Sequence, residues 1–248
     1  MAGHSKWANI QHRKGRQDKA RGKLFTKLIR EVTVAARIGG SDLDSNPRLR
    51  TAVDKAKSQS MPKDNIERAI SKGSGEGDGF DLEEVTYEGY GPGGVAILIE
   101  SMTDNRNRTV AEIRHALTKF GGNLGAEGSV SYLFKQTGLI TISGFEDEER
   151  IVEIAIELGA EDIEVMNDGS IEIMTLPNDF VDIKNVLTKE NINIDHAEVT
   201  MRASTDVEID FKHAQSMIKL LDMLEDLDDV QAVHSNAEIS DDIIEQLN

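Results

Sequence analysis

The stretch "EVTYEGYGPGGVAILIESM" (residues 84–102) marks the point at which the hydrophobic period of the chain changes. Its two halves are rich in β-branched and aromatic residues and flank the turn residues Gly91–Gly94, a pattern that predicts two strands joined by a hairpin turn. Before this stretch, apolar residues recur every three or four positions, as they do in amphipathic helices. After it, strand-like and helix-like segments alternate. The change of period predicts a helical N-terminal part followed by α+β parts.

Three amphipathic helices are predicted upstream of the hairpin. "KLFTKLIREVTVAARIGG" (residues 23–40) carries an apolar stripe at helical spacing and ends in a glycine pair. Asn46–Pro47 and Pro62 are residues that open two further helices, the second of which ends at Gly73. Because short amphipathic helices must bury their stripes against one another, they predict a three-helix bundle. The glycine-rich run "GSGEGDG" (residues 73–79) that follows is typical of a flexible linker.

The region downstream of the hairpin contains one complete β-α-β-β-α-β series. This order is that of the ferredoxin-like split βαβ unit. The predicted elements are a strand at 138–143, a helix at 147–158, strands at 162–166 and 170–175, a helix at 177–190 and a strand at 194–202.

A helix at about 207–226 and a strand at about 230–235 follow this series without a partner in it. The sheet begun by the hairpin, with a helix at 109–119 and a strand at 128–134, lacks a second helix and a last strand. The two incomplete parts therefore complete one another around an inserted unit. The predicted fold class is multi-domain α and α+β, with an N-terminal three-helix bundle followed by two ferredoxin-like α+β domains, one inserted into the other. The predicted domains are residues 1–79, residues 80–134 plus 204–248, and residues 135–203.

Charge is divided unevenly along the chain, which has a formal net charge of -17. Residues 1–72 contain 17 Lys or Arg and 7 Asp or Glu, a balance of +10, whereas the rest contains 11 and 38, a balance of -27. Such asymmetry favours contact between the basic part and a polyanion such as nucleic acid. The linker spans about 15 Å as a flexible coil. Since this exceeds the Debye length of about 8 Å, the acidic part is largely screened from that contact.

The basic residues of the N-terminal region are candidate phosphate contacts. Trp7, the only tryptophan, lies among them and either stacks on an unpaired base or anchors this segment against the bundle. A smaller group lies in "DNRNRT" (residues 104–109), where capping by Asn107 and surface ion pairs are the alternative to phosphate binding. The candidate nucleic-acid-binding residues are Lys6, Trp7, Arg13, Lys14, Arg16, Lys19, Arg21, Lys23, Lys27, Arg30, Arg48, Arg50, Arg106 and Arg108.

Signatures of catalysis and metal binding are absent from the sequence. There is no cysteine, which excludes disulfides, thiolate nucleophiles and cysteine-based metal sites. No phosphate-binding loop, nucleophile elbow or helical pair of histidines occurs, so we predict no catalytic residue, metal, cofactor or small-molecule substrate. The acidic run "EDLDD" (residues 225–229) is interpreted as solvated surface. The remaining enzymatic hypothesis is an activity on nucleic acid that uses Asp104, Asn105 and His115.

A membrane partner is not expected. The longest apolar run, "VAILI" (residues 95–99), is far shorter than the roughly 20 residues that cross a bilayer. The basic stretch also lacks a bulky apolar face beyond the one that the bundle needs. Because the basic pattern continues into a patterned helix instead of stopping at a cleavable segment, a cytoplasmic protein is expected.

Several blocks of the sequence resemble those of the YebC family of bacterial and mitochondrial proteins, over nearly the whole chain. They are "MAGHSKWANIQHRK", "GKLFTKLIREVTVAARIGG", "NPRLRTAVDKAK", "MPKDNIERAI", "YEGYGPGG", "DNRNRT", "GGNLG" and "GSVSYLF". The resemblance implies a helical bundle with two α+β domains and a non-enzymatic cytoplasmic role. Members of the family are described as DNA-binding transcriptional regulators. Others, including mitochondrial activators of cytochrome oxidase subunit synthesis, resemble translation factors that act at the ribosome and help synthesis through proline-rich stretches.

Two functions are therefore expected as alternatives. The first is a DNA-binding regulator of transcription, which needs side chains that read base edges as well as phosphates. The second is a translation factor that binds ribosomal RNA, to which a basic segment with one aromatic residue on an acidic protein is suited. The second predicted helix offers Arg48, Arg50 and Lys55, which suit phosphates better than base edges.

Overall fold

The computed structural model describes residues 17–75, 82–145, 147–166 and 169–247, and its first part is a bundle of three helices. Pro47 occupies the first position of the second helix, and the Asn46 side chain accepts a hydrogen bond of 3.0 Å from the Leu49 backbone N–H. The helices are α1 (Gln17–Gly39), α2 (Pro47–Ser58) and α3 (Lys63–Gly73). Their stripes meet in one core that includes Leu28, Val32, Leu49, Val53 and Ile66.

The remaining described residues form two four-stranded sheets, a short strand pair and further helices. In chain order these elements are β1 (Glu83–Tyr90), β2 (Ala96–Thr103), α4 (Arg106–Lys119), β3 (Asn123–Leu124), β4 (Phe134–Ile142), α5 (Glu148–Glu157), β5 (Asp162–Val165), β6 (Ile171–Thr175), α6 (Phe180–Lys189), β7 (His196–Ala203), β8 (Val207–Glu208), α7 (Phe211–Glu225), β9 (Val230–Ser235), β10 (Ala237–Glu238) and α8 (Asp241–Leu247). Among the described residues, no helix combines the length and the apolar character needed to span a bilayer.

The first sheet, with the strand order β3-β1-β2-β9, is assembled from two stretches that are far apart in the chain. β1 and β2 pair antiparallel around the hairpin turn, and β9 pairs antiparallel with β2, so that Ile97 lies opposite Ser235. The last helix and strand that the sequence predicts thus complete the sheet that the hairpin begins. Helices α4 and α7 cover one face of this sheet through a core that includes Ile97, Ile99, Ile113, Leu117, Leu221 and Leu224.

The second sheet has the strand order β5-β6-β4-β7, and all of its neighbouring strands are antiparallel. This is the order of the split βαβ unit that the alternation of elements predicts. Helices α5 and α6 cover one face through a core that includes Ile140, Ile142, Ile154, Ile173 and Leu187. These observations confirm the predicted multi-domain α and α+β fold class. The domain limits at residues 79, 134 and 203 remain predictions.

Two features of the first sheet differ from the sequence-based expectation. Its strand order is not that of a split βαβ unit, because β1 and β2 are joined by a short turn and must lie side by side. The predicted strand at 128–134 is wrong except for Phe134, since residues 128–133 form a loop that includes the short 3-10 helix Ser131–Leu133. The following strand, β4, starts at Phe134 and is therefore longer than the predicted strand at 138–143.

The buried carboxylate of Glu88, 6% exposed, accounts for this loop. One of its oxygens accepts a hydrogen bond of 2.7 Å from the Gly128 backbone N–H. The other accepts hydrogen bonds of 2.6 and 2.8 Å from the N–H groups of Val130 and Ser131. Burial alone would raise the pKa of Glu88, but these backbone donors hold it below its ordinary value. The donors are thus satisfied by a side chain and need no partner strand.

The substitution Glu88→Gln tests this role. Glutamine has one acceptor oxygen, so its amide nitrogen would face at least one of the backbone N–H groups. We expect the free energy of unfolding in urea to fall by about 1–3 kcal/mol, with faster hydrogen exchange at the amides of Gly128, Val130 and Ser131. The exposed Glu127→Gln is the matched control. Equal stability of the Glu88 variant and the control would contradict the assignment.

The face of the first sheet opposite α4 and α7 contacts the other parts of the chain. At one end, Val34 of α1 packs with Leu82 and Met102. At the other end, the first sheet contributes Ala96 and Leu98 to a cluster that also contains Val130, Phe134, Met201 and Ala203. The first sheet is therefore the central body, against which the bundle and the second sheet pack.

Candidate nucleic-acid interface

The structure describes half of the predicted nucleic-acid-binding side chains. Lys19 and Arg21 belong to α1 through their backbone, but their side chains lie outside the described part. The residues that lie wholly outside the described ranges are Lys6, Trp7, Arg13, Lys14 and Arg16. The predicted side chains that the structure describes are Lys23, Lys27, Arg30, Arg48, Arg50, Arg106 and Arg108.

The buried carboxylate of Asp229, 2% exposed, lies at the centre of a polar cluster between the bundle and the first sheet. Arg30 of α1 approaches it with an Nη1–Oδ1 distance of 2.7 Å. Its other oxygen, Oδ2, accepts a hydrogen bond of 2.7 Å from Arg108 of α4. The same oxygen accepts hydrogen bonds from the hydroxyls of Thr103 and Thr109 at 3.0 and 2.7 Å. One carboxylate thus joins two arginines that are far apart in the sequence.

Both arginines pair with this carboxylate, although the Arg108 side chain remains 44% exposed. Burial alone would raise the pKa of the Asp229 carboxyl, but hydrogen bonds from Thr109, Arg108 and Arg30 hold it below its ordinary value. The Arg30 side chain, 18% exposed, also donates a hydrogen bond of 2.8 Å to the backbone oxygen of Met102. This geometry fits a clamp between α1 and the first sheet better than it fits a free phosphate contact.

The acidic run at 225–229 also faces α1. Lys23 Nζ lies 2.9 Å from the Asp226 carboxylate and donates a hydrogen bond of 2.6 Å to the carbonyl oxygen of the same residue. Burial lowers the pKa of Lys27, and the carboxylates of the run act in the opposite direction. The interpretation of this run as solvated surface is therefore wrong for the buried Asp229, whereas Asp226 is exposed and also pairs with Lys23. Each of them holds a cation of α1 because the end of α7 packs beside the bundle.

The guanidinium of Arg48 links α2 to α1 and to β1. Its Nε lies 2.8 Å from the Glu31 carboxylate, and its Nη2 lies 2.6 Å from that of Glu84. Hydrogen bonds to Glu31 and Glu84 raise the pKa of Arg48 above its ordinary value. Arg50 differs, because it is exposed and its guanidinium has no hydrogen bond or ion pair to any residue that the structure describes. It is therefore available to a phosphate.

The group at the start of α4 is explained by capping and ion pairs. The cap is Asn105, not Asn107, because the Asn105 side chain accepts a hydrogen bond of 3.1 Å from the Arg108 backbone N–H. Arg106 pairs with the exposed carboxylate of Glu83, with an Nε–O distance of 2.5 Å. The alternative that competes with phosphate binding thus fits the geometry of this group.

Two of the three residues of the enzymatic hypothesis have structural roles. The Asp104 carboxylate lies 2.8 Å from Arg108, and Asn105 caps α4. His115 is exposed on the same helix. In the described ranges, no group of three or more His, Asp or Glu residues could hold a metal ion.

Two family models match the chain. The model of the TACO1/YebC protein N-terminal domain matches residues 5–76. The model of the TACO1/YebC second and third domain matches residues 82–237. The unmatched residues between the two models lie in the glycine-rich run after α3 and just beyond it.

Relatives share the sequence over almost its whole length. A protein of Coxiella burnetii (strain Dugway 5J108-111), named a probable transcriptional regulatory protein, is 61% identical over 244 residues, which cover 98% of this chain and 100% of the relative. A protein of Methylococcus capsulatus with the same description is 60% identical over 247 residues, which cover 100% of both chains.

The fold is also that of a solved relative. The crystal structure of a conserved hypothetical protein from Aquifex aeolicus matches with a TM-score of 0.83 and 51% sequence identity, over 95% of this chain and 98% of that chain. The family models, the relatives and the fold agree, and they confirm the resemblance seen in the sequence blocks. This chain therefore belongs to the TACO1/YebC family.

Proposed function

We propose that this protein is a non-enzymatic, nucleic-acid-binding regulator of gene expression that acts on DNA as a transcriptional regulator. The observation that carries the proposal is the charge balance, +10 over residues 1–72 against -27 over the rest. Nucleic acid is the abundant cellular polyanion that such a basic end would meet. The description of relatives at 60% and 61% identity as probable transcriptional regulatory proteins supports it. A cytoplasmic location is part of the same proposal.

In this proposal the first sheet holds the basic bundle, and the acidic surface of the rest of the protein repels nucleic acid. The contacts among Arg30, Arg108 and Asp229 fix the bundle on the sheet. Acidic surface over the rest of the chain disfavours any other approach of a polyanion. The residues proposed to meet phosphates directly are Lys6, Arg13, Lys14, Arg16, Lys19, Arg21 and Arg50, with Trp7 stacked on a base.

The second candidate is a translation factor that binds ribosomal RNA and relieves stalling at proline-rich stretches. One observation favours it, namely that α2 has few side chains that could read base edges. Arg48 is held by Glu31 and Glu84, which leaves Arg50 as the free guanidinium on this helix among the described residues. Contacts limited to phosphates and stacked bases suit folded RNA, which is recognised largely by shape and unpaired bases.

Binding of the full chain to two labelled probes, a mixed-sequence duplex DNA and a stem-loop RNA, tests the shared part of the proposal. If about five phosphates are neutralised on duplex DNA, the logarithm of the association constant falls against the logarithm of the salt concentration with a slope of about -4.5. Loss of binding to both probes at low salt would contradict nucleic-acid binding altogether.

Sedimentation of gently lysed cells separates the two candidates. A transcriptional regulator should remain soluble or follow DNA when polysomes are treated with nuclease. A translation factor should migrate with polysomes and then follow the monosomes that nuclease releases. The second pattern would contradict the primary proposal and favour the translation factor.

A further inference from the structure

Three cations of the bundle form ion pairs with carboxylates that lie outside the bundle. All three cations belong to the predicted nucleic-acid-binding set, and each comes from α1 or α2. The acceptors lie on β1 and in the segment between α7 and β9. The pairs and their N–O distances are Lys23–Asp226 at 2.9 Å, Arg30–Asp229 at 2.7 Å and Arg48–Glu84 at 2.6 Å.

The carboxylates meet these cations as a phosphate would. Two nitrogens of Arg48 approach the two oxygens of Glu84, at 3.2 and 2.6 Å, which is the forked arrangement that guanidinium groups also form with phosphate oxygens. Lys23 offers a point charge, and it donates to both the carboxylate and the carbonyl oxygen of Asp226. A phosphate that reached Lys23 would have to displace Asp226. One that reached Arg48 would have to displace Glu84, beside the further contact that Arg48 makes with Glu31.

The three pairs differ in how easily they can be exchanged. Arg30 and Asp229 have side-chain exposures of 18% and 2%, so this pair is enclosed by protein. Lys23 and Asp226 are 28% and 60% exposed, and Arg48 and Glu84 are 39% and 45% exposed. Exposed ion pairs are weak because solvent screens both charges. The two exposed pairs, Lys23–Asp226 and Arg48–Glu84, can therefore open while the enclosed pair keeps the bundle in place.

We propose that Asp226 and Glu84 compete with nucleic acid for Lys23 and Arg48, so that the central body restrains binding in the free protein. This inference rests on the proposed function, because it concerns regulation of the same basic surface. Each carboxylate both occupies its cation and repels an approaching phosphate. Nucleic acid that binds first through the remaining basic residues would then displace the carboxylates from Lys23 and Arg48. These two contacts would raise its affinity.

Neutral isosteres test the competition without removing a buried group. The variants are Asp226→Asn, Glu84→Gln and the double variant, each as the full chain. Glu112→Gln on α4 is the matched control, because it is exposed and removes the same single charge. Affinity for the duplex DNA and the stem-loop RNA is measured by fluorescence anisotropy at moderate salt. We expect each competing variant to bind about two- to fivefold more tightly, and the double variant about tenfold.

These variants can disprove the competition without disproving nucleic-acid binding. Equal affinity of wild type and the double variant, or an equal gain in the Glu112 control, would overturn the competition. A double-mutant cycle adds a second readout, since Asp226→Asn should have a smaller effect once Lys23 is replaced by methionine, when only the repulsion between this carboxylate and the phosphate remains. Loss of binding on neutralising Lys6, Arg13, Lys14 and Arg16, without any gain in the acidic variants, would leave nucleic-acid binding in place and remove only the competition.

Discussion

Replacing Asp229 by alanine is expected to lower the free energy of unfolding by about 3–5 kcal/mol, because a buried ion pair that loses one partner leaves the other charge uncompensated. Arg30 and Arg108 would both lose their shared carboxylate, which is 2% exposed. The hydroxyls of Thr103 and Thr109 would lose an acceptor in the same enclosed space. Four donors on α1, β2 and α4 share this one acceptor, although Arg108 also pairs with Asp104 and Arg30 also donates to the backbone oxygen of Met102.

Urea unfolding of Asp229→Ala, Asp229→Asn and Asp228→Ala measures this effect. Asparagine keeps one acceptor oxygen, so its loss of stability should lie between those of the other two variants. Asp228 is the control, because its side chain is exposed and only its backbone oxygen contacts Arg30. A loss below 1 kcal/mol in Asp229→Ala, or an equal loss in Asp228→Ala, would contradict the clamp.

The same carboxylate predicts acid sensitivity of the junction. Its pKa lies below the ordinary value of about 3.9, so its contribution to stability is fully present above that value. The contribution is lost as the pH falls through the lower pKa of the folded state. Stability measured against pH should therefore decline more steeply below pH ~4 in the wild type than in Asp229→Asn. Parallel declines would contradict this assignment.

Several helices and strands could be predicted from the sequence pattern within the element itself. The strand predicted at about 230–235 is observed as Val230–Ser235, because a short segment with valines between turn-forming residues has few alternatives. The helix predicted at 207–226 begins later, at Phe211, since Asp210 caps it through a hydrogen bond of 2.8 Å from the His213 backbone N–H. The residues before the cap pair with β10 instead.

The roles of charged residues could not be predicted in this way, because their partners are distant in the sequence. Asp229 meets Arg30 and Arg108 across separations of 199 and 121 residues. Nothing local distinguishes it from Asp228, which is exposed. Glu88 likewise sits in a regular strand pattern, and its partners are about 40 residues ahead in a loop that itself reads as a strand. Composition identifies the basic surface, but only the fold divides it into a clamp and free groups.

Neutralising Lys6, Arg13, Lys14 and Arg16 together is expected to weaken nucleic-acid binding about a hundredfold at physiological salt, because each phosphate contact releases counterions from the polyanion. The variant would replace the four residues by glutamine. On duplex DNA, the salt slope should become shallower by about 0.9 for each lost contact. We expect the stability of the bundle to be unchanged, because its core around Leu28, Val32 and Leu49 is apolar and charged side chains are rarely part of such a core.

A second variant with the same change in net charge separates local contact from overall electrostatics. Lys184, Lys189, Lys212 and Lys219 are exposed on α6 and α7, and changing them to glutamine also removes four positive charges. Most of their influence on a ligand at the basic end is screened beyond the Debye length of about 8 Å. Equal weakening in both variants would mean that binding responds to net charge alone. Weakening only in the first would identify the N-terminal basic residues as the contact surface, while the contacts of Asp229 hold the bundle on the first sheet.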